Sequence, residues 1–333
     1  MEDLYFSFII PVYNRPQEVA ELLQSFRQQT YDGEYEIVIV EDGSDVTAET
    51  VLKDFSDLAL TYLKKQNTGP GPSRNYGMQR AKGMYFIILD SDCILPPEYL
   101  NIVNDHLKED YFDFYGGPDA AHPDFDNRQK AVSFAMTSVL TTGGLRGKGA
   151  DSKKFQPRSF NMGISKSAFE ASGGFGNIHP GEDPDLTFRL WERGFSSTLI
   201  EEAFVYHKRR ITWKGFYKQV NKFGKVRPIL NKWHPGTAKL TYWFPTLFTG
   251  FVLCAIIMAC FGIFTPIAAL VFYIVSVALF ASIICESVAV GLLSILALLV
   301  QFFGYGVGFF ESILKIKILG REERKVFPKL FFD

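Results

Sequence analysis

From Trp243 to Leu314 the chain carries only two charged side chains, Glu286 and Glu311. No soluble domain needs an apolar stretch of this length, whereas about 20 apolar residues are enough for one helix to cross a bilayer. Before Tyr242 the apolar residues come in short runs that are separated by glycine, proline and charged residues. The sequence therefore predicts a folded domain over residues 1–240, a helical membrane anchor over 241–314 and a basic tail over 315–333.

The length of the apolar block and the charges around it disagree on how often the chain crosses the membrane. Three segments are each long enough for a span: Trp243–Phe264, Thr265–Cys285 and Ser287–Phe310. Lysine and arginine crowd both sides of the block, however, which indicates cytoplasmic flanks and an even number of crossings. The glycine-rich stretch Gly304–Gly308 is predicted to break the last segment, so that part of it lies in the interface or re-enters without crossing. We expect a multi-pass protein of the inner (plasma) membrane with two or three spans and a cytoplasmic folded domain.

Charge and cysteine content exclude several classes of protein. The net charge of -1 lacks the basic excess that a nucleic-acid-binding surface requires. Three of the four cysteines lie in the apolar block and Cys93 stands alone, so neither a disulfide framework nor a CxxC zinc site is expected. The segment Met1–Asp3 lacks the basic residues of a signal peptide, and no G-x-G-x-x-G follows the first apolar run. We therefore expect a reducing compartment and no nicotinamide cofactor.

The first part of the chain alternates between strand and helix patterns. Short apolar runs predict strands at Phe6–Val12, Tyr35–Val40, Leu60–Leu63 and Tyr85–Leu89. Apolar residues at helical spacing predict helices between them, at Val19–Phe26 and Val46–Phe55. This alternation predicts an α/β fold of Rossmann-like type, with a mostly parallel sheet and helices on both faces.

Polar residues follow three of these strands directly. In open α/β sheets, ligands bind beyond the carboxyl ends of the strands. The first predicted strand runs into Tyr13–Arg15, the second into Glu41–Ser44 and the fourth into Asp90–Asp92. We expect these three segments to lie at one edge of the sheet and to form the functional site.

Two of the strand-end acids and a nearby glycine segment indicate a site for a metal and a diphosphate. Asp90 and Asp92 supply the oxygen ligands that Mg²⁺ or Mn²⁺ prefers, with substrate phosphates completing the coordination shell. In the segment Gly69–Asn75 the glycines allow close backbone approach to a diphosphate, and Arg74 adds a cation. Asp42 is predicted to accept hydrogen bonds from a base or a ribose.

Asp183 and His207 are further candidates for chemistry. Pro184 suits the first position of a helix, which predicts Asp183 as the N-cap of that helix. A helix N-terminus also favours the ionised carboxylate, as a general base for an acceptor hydroxyl requires. His207 follows the apolar run Ala203–Tyr206 and is either a third metal ligand or a structural group.

These motifs, in their order and spacing, resemble the family 2 inverting glycosyltransferases of GT-A fold over about Phe6 to Arg227. The matching segments are Ile10–Arg15, Glu41–Ser44, Arg74–Gly77, Asp90–Asp92, Asn161–Gly163, Gly173–Phe175 and Gly181–Leu186. Glu41 departs from the pattern, because an aspartate is common there. The resemblance implies a single displacement in which a catalytic base deprotonates the acceptor, while a metal and Arg74 offset charge on the departing nucleoside diphosphate.

The resemblance also implies roles for individual residues. Pro11, Tyr13 and Asp42 line the nucleoside pocket, Asp90 and Asp92 serve the ribose and the metal-bound diphosphate, and Asp183 is the base. It favours His207 as a metal ligand. The complete predicted site is then a catalytic pair, Asp183 and Glu182; a nucleotide-sugar set, Pro11, Tyr13, Asn14, Arg15, Asp42, Gly69, Arg74, Asn75 and Asp90; and ligands for Mn²⁺ or Mg²⁺, Asp92, Asp90 and His207.

The anchor indicates that the acceptor is a glycan carried on a membrane lipid. A polyprenyl-phosphate glycosyltransferase is an alternative, because Pro96–Glu98 is similar to a segment of that group, although its phosphate acceptor needs no base. A processive polysaccharide synthase fits less well, since Gln219–Arg227 lacks the Q-x-x-R-W element. A different class of protein, an inactive nucleotide-sugar-binding membrane subunit, would not need Asp90, Asp92 and Asp183.

Overall fold

The computed structural model describes residues 4–120, 125–142, 155–208 and 212–332. The chain divides into two compact units. The α/β unit comprises residues 1–122, 151–208 and 331–333, and the helical unit comprises residues 123–150 and 209–330. This division differs from the predicted boundary at residue 240, because segments 125–142 and 213–233 pack with the apolar helices.

The described residues of the α/β unit form ten strands. They are β1 (Phe6–Val12), β2 (Tyr35–Asp42), β3 (Leu60–Lys65), β4 (Tyr85–Leu89), β5 (Cys93–Ile94), β6 (Phe114–Gly116), β7 (Asp119–Ala120), β8 (Asn161–Ser165), β9 (Ser197–Leu199) and β10 (Val205–His207). Seven of them form one sheet in the order β3-β2-β1-β4-β8-β6-β9. The strands β1 to β4 pair in parallel, whereas β8 is antiparallel to β4 and β6. The predicted mostly parallel sheet is confirmed, and the bounds of β1 and β4 coincide with the prediction.

Helices cover both faces of this sheet and make up the helical unit. They are α1 (Pro16–Phe26), α2 (Glu49–Leu52), α3 (Pro70–Met78), α4 (Tyr99–Glu109), α5 (Asn127–Thr137), α6 (Val139–Thr142), α7 (Lys166–Ser172), α8 (Glu182–Glu192), α9 (Trp213–Trp233), α10 (Phe244–Cys260), α11 (Thr265–Ile284), α12 (Val288–Ser312) and α13 (Glu323–Val326). Successive side chains of a strand point to opposite faces. Phe8 is accordingly buried with residues of α1 and α4, and Ile9 with residues of α3, α7 and α8.

A second, three-stranded sheet joins distant parts of the α/β unit in the order β5-β10-β7. Strand β10 is antiparallel to β5, with His207 opposite Cys93. The backbone N–H of Lys208 donates to the carbonyl of Asp92 at 2.9 Å. This pairing places His207 beside the acidic segment that follows β4, although the two are far apart in the sequence.

Among the described residues of the helical unit, three helices are long and apolar enough to cross a membrane. They cover Leu240–Cys260, Thr265–Ile284 and Val288–Ile318, with mean hydropathies of 2.0, 2.7 and 2.2. The three predicted apolar helices are therefore present.

The glycines of α12 do not break the helix, which corrects the prediction made from Gly304–Gly308. Helix α12 runs without interruption over Val288–Ser312, with the glycines in its interior. A Cβ atom at Gly304 would lie 2.5 Å from Val220 Cγ2 of α9, and a Cβ atom at Gly308 would meet the backbone of α9. The glycines thus allow two helices to pack closely, as small residues do in membrane proteins.

A larger side chain at Gly308 is expected to destabilise the helical unit. Gly308→Val would force α9 and α12 apart, and overpacking of this kind costs typically about 1–3 kcal/mol. The measurement is the thermal unfolding temperature of the full chain in detergent. Val307→Leu is the control, because Val307 is adjacent but 45% exposed. Equal unfolding temperatures for the two variants would contradict the close packing.

Candidate functional site

The carboxyl ends of β1, β2 and β4 lie side by side at one edge of the sheet, as the sequence predicts. Arg15 Nη1 is 3.2 Å from Asp92 Oδ2, which connects the ends of β1 and β4. The backbone N–H of Asn14 donates to Ser44 Oγ at 2.7 Å, which connects the loops after β1 and β2. The strand-end residues therefore form one continuous surface.

The loop after β1 presents an aromatic ring at this surface. Tyr13 is 50% exposed, while Pro11 is partly buried in β1. Asn14 adopts a left-handed conformation with φ of 55°, and its Oδ1 accepts from the N–H of Val46 at 3.0 Å. The loop is thus fixed by Asn14, and the ring of Tyr13 is free to stack on a base.

Asp42 fixes the loop that leads into α3. Its side chain is buried, and its Oδ1 accepts from Lys65 Nζ at 2.6 Å and from the N–H of Thr68 at 3.0 Å. Its Oδ2 accepts from the N–H of Gly69 at 2.9 Å. Gly69 has φ of 89°, a conformation that favours glycine, and it precedes the first residue of α3. Contact of Asp42 and Gly69 with a nucleotide stays a prediction.

Arg74 joins the end of β4 to the start of α8. Its Nη2 is 2.7 Å from Asp90 Oδ1, and its Nη1 is 3.1 Å from Glu182 Oε1. Arg74 is 3% exposed and Glu182 is 2% exposed. His179 Nδ1 lies 2.9 Å from the same Glu182 oxygen. The guanidinium is therefore held by two carboxylates, and its predicted contact with a diphosphate stays a prediction.

The charged groups around Glu182 keep its carboxylate ionised. Burial by itself would raise the pKa of Glu182, but His179 and Arg74 outweigh it and lower the pKa to about 2. A buried carboxylate with two cationic or hydrogen-bonding partners is a fixed negative charge at neutral pH. Glu182 therefore holds Arg74 in place and is poorly suited to exchange protons.

Asn75 holds a neighbouring loop. Its Nδ2 donates to the carbonyl of Phe175 at 2.8 Å, and its Oδ1 accepts from the N–H of Phe175 at 2.8 Å. Both ends of the amide are thus engaged by one backbone residue. In the structure the Asn75 side chain holds the backbone of Phe175. Its role in binding a nucleotide sugar stays a prediction.

Asp183 lies in the first turn of α8, which corrects the prediction that it is the N-cap. The helix begins at Glu182, and Gly181, with φ of 117°, is the N-cap. Pro184 is tolerated inside the first turn because the N–H that it lacks has no intrahelical partner there. Asp183 still benefits from the helix N-terminus, which favours a negative charge.

One oxygen of Asp183 is held by the protein, and the other is not. Oδ2 lies 3.5 Å from the N–H of Ser159 and 3.9 Å from Arg158 Nη1. Within the described parts of the chain, Oδ1 has no hydrogen-bond partner. The Asp183 side chain is 16% exposed. An incoming hydroxyl group can therefore reach an oriented carboxylate oxygen.

The pKa of Asp183 shifts in the direction opposite to that of Glu182. Burial and the neighbouring charge of Glu182 raise the pKa of Asp183, and Arg158 and Arg74 offset only part of this effect. Neighbouring carboxyl groups whose environments push their pKa values apart are typical of sites that divide a structural and an acid–base role. Asp183 is the member of the pair that can take up a proton.

Asp92 and His207 are the predicted metal ligands that the structure brings together. Asp92 Oδ1 lies 3.0 Å from His207 Nε2, and one donor atom each of Asp92, Cys93 and His207 lie within 4.8 Å of one another. Asp90 is paired with Arg74 and is not part of this group. Its predicted metal contact stays a prediction.

The chemistry of this group fits a hard divalent cation. Burial would raise the pKa of Asp92, but His207 and Arg15 outweigh it, so the pKa is lowered and the carboxylate is ionised. Burial raises the pKa of the Cys93 thiol well above its usual value, which leaves a neutral thiol and a poor ligand. Among the described residues, the buried His207 Nδ1 has no hydrogen-bond partner. A carboxylate and an imidazole suit Mn²⁺ or Mg²⁺ with phosphate oxygens as further ligands.

Three residues near the site did not emerge from the sequence: Lys65, Arg158 and His179. Lys65 is the last residue of β3 and binds Asp42, so the rule that sites follow parallel strands could have found it. Arg158 and His179 lie in irregular segments with no diagnostic spacing. Only the folded chain brings them beside Asp183 and Glu182.

Solved structures of similar architecture identify the fold of the α/β unit. The mannosyltransferase PcManGT from Pyrobaculum calidifontis, in complex with GDP-Man and Mn²⁺, has a TM-score of 0.61 at 16% identity over 92% of this chain and 88% of that one. Residues 1–349 of S. aureus TarS, in complex with UDP-GlcNAc, have a TM-score of 0.50 at 15% identity over 96% and 93% of the two chains. The α/β unit has the GT-A fold.

Sequence comparison gives the family. Residues 7–172 match the Glycosyl transferase family 2. An uncharacterized glycosyltransferase of Rickettsia conorii is 36% identical over 115 residues, which are 34% of this chain and 19% of that protein. Glycosyltransferase AglE of Haloferax volcanii is 24% identical over 211 residues, 62% of this chain and 67% of that protein. The match spans about a fifth of the first relative. Residues 7–172 therefore form a glycosyl transferase family 2 domain, as the motifs predict.

Proposed function

We propose that this chain moves a sugar from a nucleoside-diphosphate sugar to a hydroxyl group of a lipid-linked glycan, with inversion and with a divalent metal. The observation that carries the proposal is the pair of contacts of Arg74, at 2.7 Å to Asp90 and 3.1 Å to Glu182. These contacts hold the first turn of α8, and with it Asp183, against the acidic end of β4. The binding of GDP-Man and UDP-GlcNAc by the two proteins of similar fold supports this class of donor.

In this mechanism Asp183 Oδ1 accepts the proton of the acceptor hydroxyl group. At the same time, the hydroxyl oxygen attacks the anomeric carbon of the donor sugar. The bond from that carbon to the diphosphate oxygen breaks on the opposite side, which inverts the configuration. Arg158 and Ser159 hold Oδ2 and so keep Oδ1 directed at the acceptor. A divalent cation held by Asp92 and His207 would offset charge on the departing diphosphate.

The accessible base favours a hydroxyl acceptor over the alternatives. A polyprenyl-phosphate acceptor already carries a nucleophilic oxyanion, so no proton would have to be transferred to the unpaired oxygen of Asp183. An inactive nucleotide-sugar-binding subunit would need neither this oxygen nor the opposite pKa shifts of Asp183 and Glu182.

Turnover with defined donors tests the proposal. Purified full-length protein is given uridine, guanosine and deoxythymidine diphosphate sugars with Mn²⁺ and with lipid extracts or free acceptors. Release of nucleoside diphosphate together with a glycosylated lipid of inverted configuration is the expected result. Binding of a nucleotide sugar without transfer to any acceptor would instead identify a sensor or an assembly subunit.

The pH dependence of the transfer rate should change when Arg158 is replaced. Arg158 lowers the pKa of Asp183, so Arg158→Gln should raise that pKa further. Because the base acts only when it is ionised, the acid limb of the pH–rate profile should move to higher pH. Arg158→Lys keeps a positive charge, so the acid limb of its pH–rate profile should lie closer to that of the wild type than the limb of Arg158→Gln does.

The control for this prediction is Arg193→Gln. Arg193 is exposed and follows α8, about 15 Å from Asp183 at 1.5 Å per residue. An equal loss of activity at every pH in Arg158→Gln would mean that Arg158 is only structural.

Metal removal should abolish transfer reversibly. Dialysis against a chelator is expected to reduce turnover to background, and Mn²⁺ or Mg²⁺ should restore it. Asp92→Asn should weaken metal binding, because a neutral amide replaces an ionised ligand. A higher concentration of Mn²⁺ should then be needed for the half-maximal rate. Full activity of the metal-free protein would contradict the proposed cofactor.

We also propose that the protein resides in the inner (plasma) membrane with the α/β unit in the cytoplasm. The three apolar helices and the lysine and arginine residues on both sides of them support this location.

A further inference from the structure

We propose that α9 and α12 lie together along the membrane surface, in the headgroup layer, and that within the described residues only α10 and α11 cross the bilayer. The inference rests on the proposed membrane location and not on sugar transfer. It follows from the register of α9 against α12, from the charges of α9 and from the exposed face of α12.

Helices α9 and α12 run parallel and in contact. Asn221 Nδ2 donates to the carbonyl of Gly304 at 3.0 Å, and Ser312 Oγ donates to the carbonyl of Lys225 at 2.7 Å. Residue numbers at the contacts therefore increase in the same direction along both helices, which makes the helices parallel. Nearer their N-termini, Phe216 of α9 is buried in the same cluster as Ala297 of α12. Helix α9 thus accompanies α12 from about Ala297 onwards.

The outer face of α9 is basic. Lys214, Lys218 and Lys222 recur at every fourth residue, the spacing of one helical stripe, and the first two are exposed. The residues Phe216 and Val220, on another face, are buried. Within the described residues, none of the three lysines has an acidic partner. A stripe of this kind matches a layer of lipid phosphates.

A crossing α12 would carry these lysines into hydrocarbon. If α12 entered the bilayer at Val288, Ala297 would lie ~14 Å deeper, near the centre of a core about 30 Å thick. The start of α9, with Lys214, would lie at the same depth. Helix α5, whose first residues include Arg128 and Lys130, packs in the same cluster. Charged groups at that depth are strongly unfavourable.

The large apolar residues that are exposed on α12 and on the helical turns after it, Ile313–Ile318, form one stripe. Besides Ala289 and Lys317, which are also exposed, these residues are Val288, Leu292, Leu296, Val307, Phe310, Leu314 and Ile318. Successive members are three, four or eleven residues apart, which keeps them on one side of a helix. The opposite side is packed, and 39% of the apolar window of this helix is buried, against 17% and 11% for the other two. A helix that lies at an interface offers lipid one face along its whole length.

The length of the helix agrees with this placement. The continuous helical segment Val288–Ile318 has 31 residues, or ~46 Å at 1.5 Å per residue, well beyond the thickness of the hydrocarbon core. Two crossings, by α10 and α11, return the chain to the side on which it entered. The basic residues on both flanks then lie on one side, which removes the disagreement between span length and charge.

Cysteine accessibility in sealed vesicles tests the proposal. In full-length protein with Cys254, Cys260 and Cys285 replaced by alanine, single cysteines are introduced as Lys239→Cys, Phe264→Cys and Lys329→Cys, all at exposed positions. Inverted and right-side-out vesicles are treated with a membrane-impermeant maleimide. Lys239→Cys and Lys329→Cys should be labelled in inverted vesicles, and Phe264→Cys in right-side-out vesicles. The parent without an added cysteine gives the background, and labelling in detergent gives the maximum.

Either of two outcomes overturns the proposal. Labelling of Lys329→Cys and Phe264→Cys in right-side-out vesicles, with Lys239→Cys labelled only in inverted vesicles, would mean that α12 crosses. Labelling of all three positions from one side would mean that α10 and α11 do not cross. The same preparations are assayed for release of nucleoside diphosphate, so that a protein inserted as proposed but without transfer activity would refute only the proposed function.

Discussion

Replacing Asp183 with asparagine is expected to lower the rate of sugar transfer by about 10²-fold to 10⁴-fold, the usual contribution of a general base. The substitution keeps the shape of the side chain and its contact with the N–H of Ser159, but it removes the proton acceptor. Binding of the donor should change little, because the effect falls on the chemical step. The measurement is single-turnover transfer beside the dissociation constant of the nucleotide sugar.

A matched control separates this effect from a general loss of charge. Glu170 is an exposed carboxylate on α7, and Glu170→Gln should leave both quantities unchanged. Wild-type rates in Asp183→Asn would remove Asp183 from the mechanism. A donor affinity that falls as steeply as the rate would assign Asp183 to binding.

Replacing Arg74 with methionine is expected to destabilise the α/β unit by about 3–5 kcal/mol, the usual cost of removing one partner of a buried ion pair. Methionine fills similar space but leaves Glu182 buried with His179 as its remaining partner. Transfer should be lost as well, because the first turn of α8 is no longer held against Asp90. The measurement is the free energy of unfolding by denaturant.

The pH dependence gives this prediction a second readout. The pKa of Glu182 in the folded protein, about 2, lies below its ordinary value of 4.5. Its contribution to stability is therefore present above about pH 4.5 and is lost as the pH falls towards 2. The stability difference between wild type and Arg74→Met should be largest near neutral pH and should shrink in acid. Arg80→Met, at an exposed arginine beyond the end of α3, is the control and should show neither effect.

Local patterns were enough to predict the first four strands of the α/β unit. Strands β1 and β4 coincide with their predicted bounds because each is a short apolar run between polar segments. The same alternation placed the three polar strand ends at one edge of the sheet. The predicted position of a helix N-terminus was less accurate. Both Gly181 and Pro184 are compatible with the start of α8, and only the backbone conformation shows which residue is the N-cap.

Side-chain partners were not predictable from spacing. Asp42 and Asn75 belong to motifs that suggest ligand contact, yet in the structure both are engaged by the protein itself. Arg158 has no motif at all, and it reaches Asp183 only because the chain before β8 passes the start of α8. Such contacts depend on which distant segments meet, and periodicity within one segment carries no information on that.

The apolar block shows the same division. Hydropathy and motif order are local properties of the chain, so they were enough to predict three apolar helices after a glycosyltransferase domain. That Gly304–Gly308 continues a helix, that His207 lies beside Asp92 and that α9 packs along α12 could be learned only from the folded chain. Each of these depends on the close approach of segments far apart in the sequence, where the fit of one surface against another selects the partner.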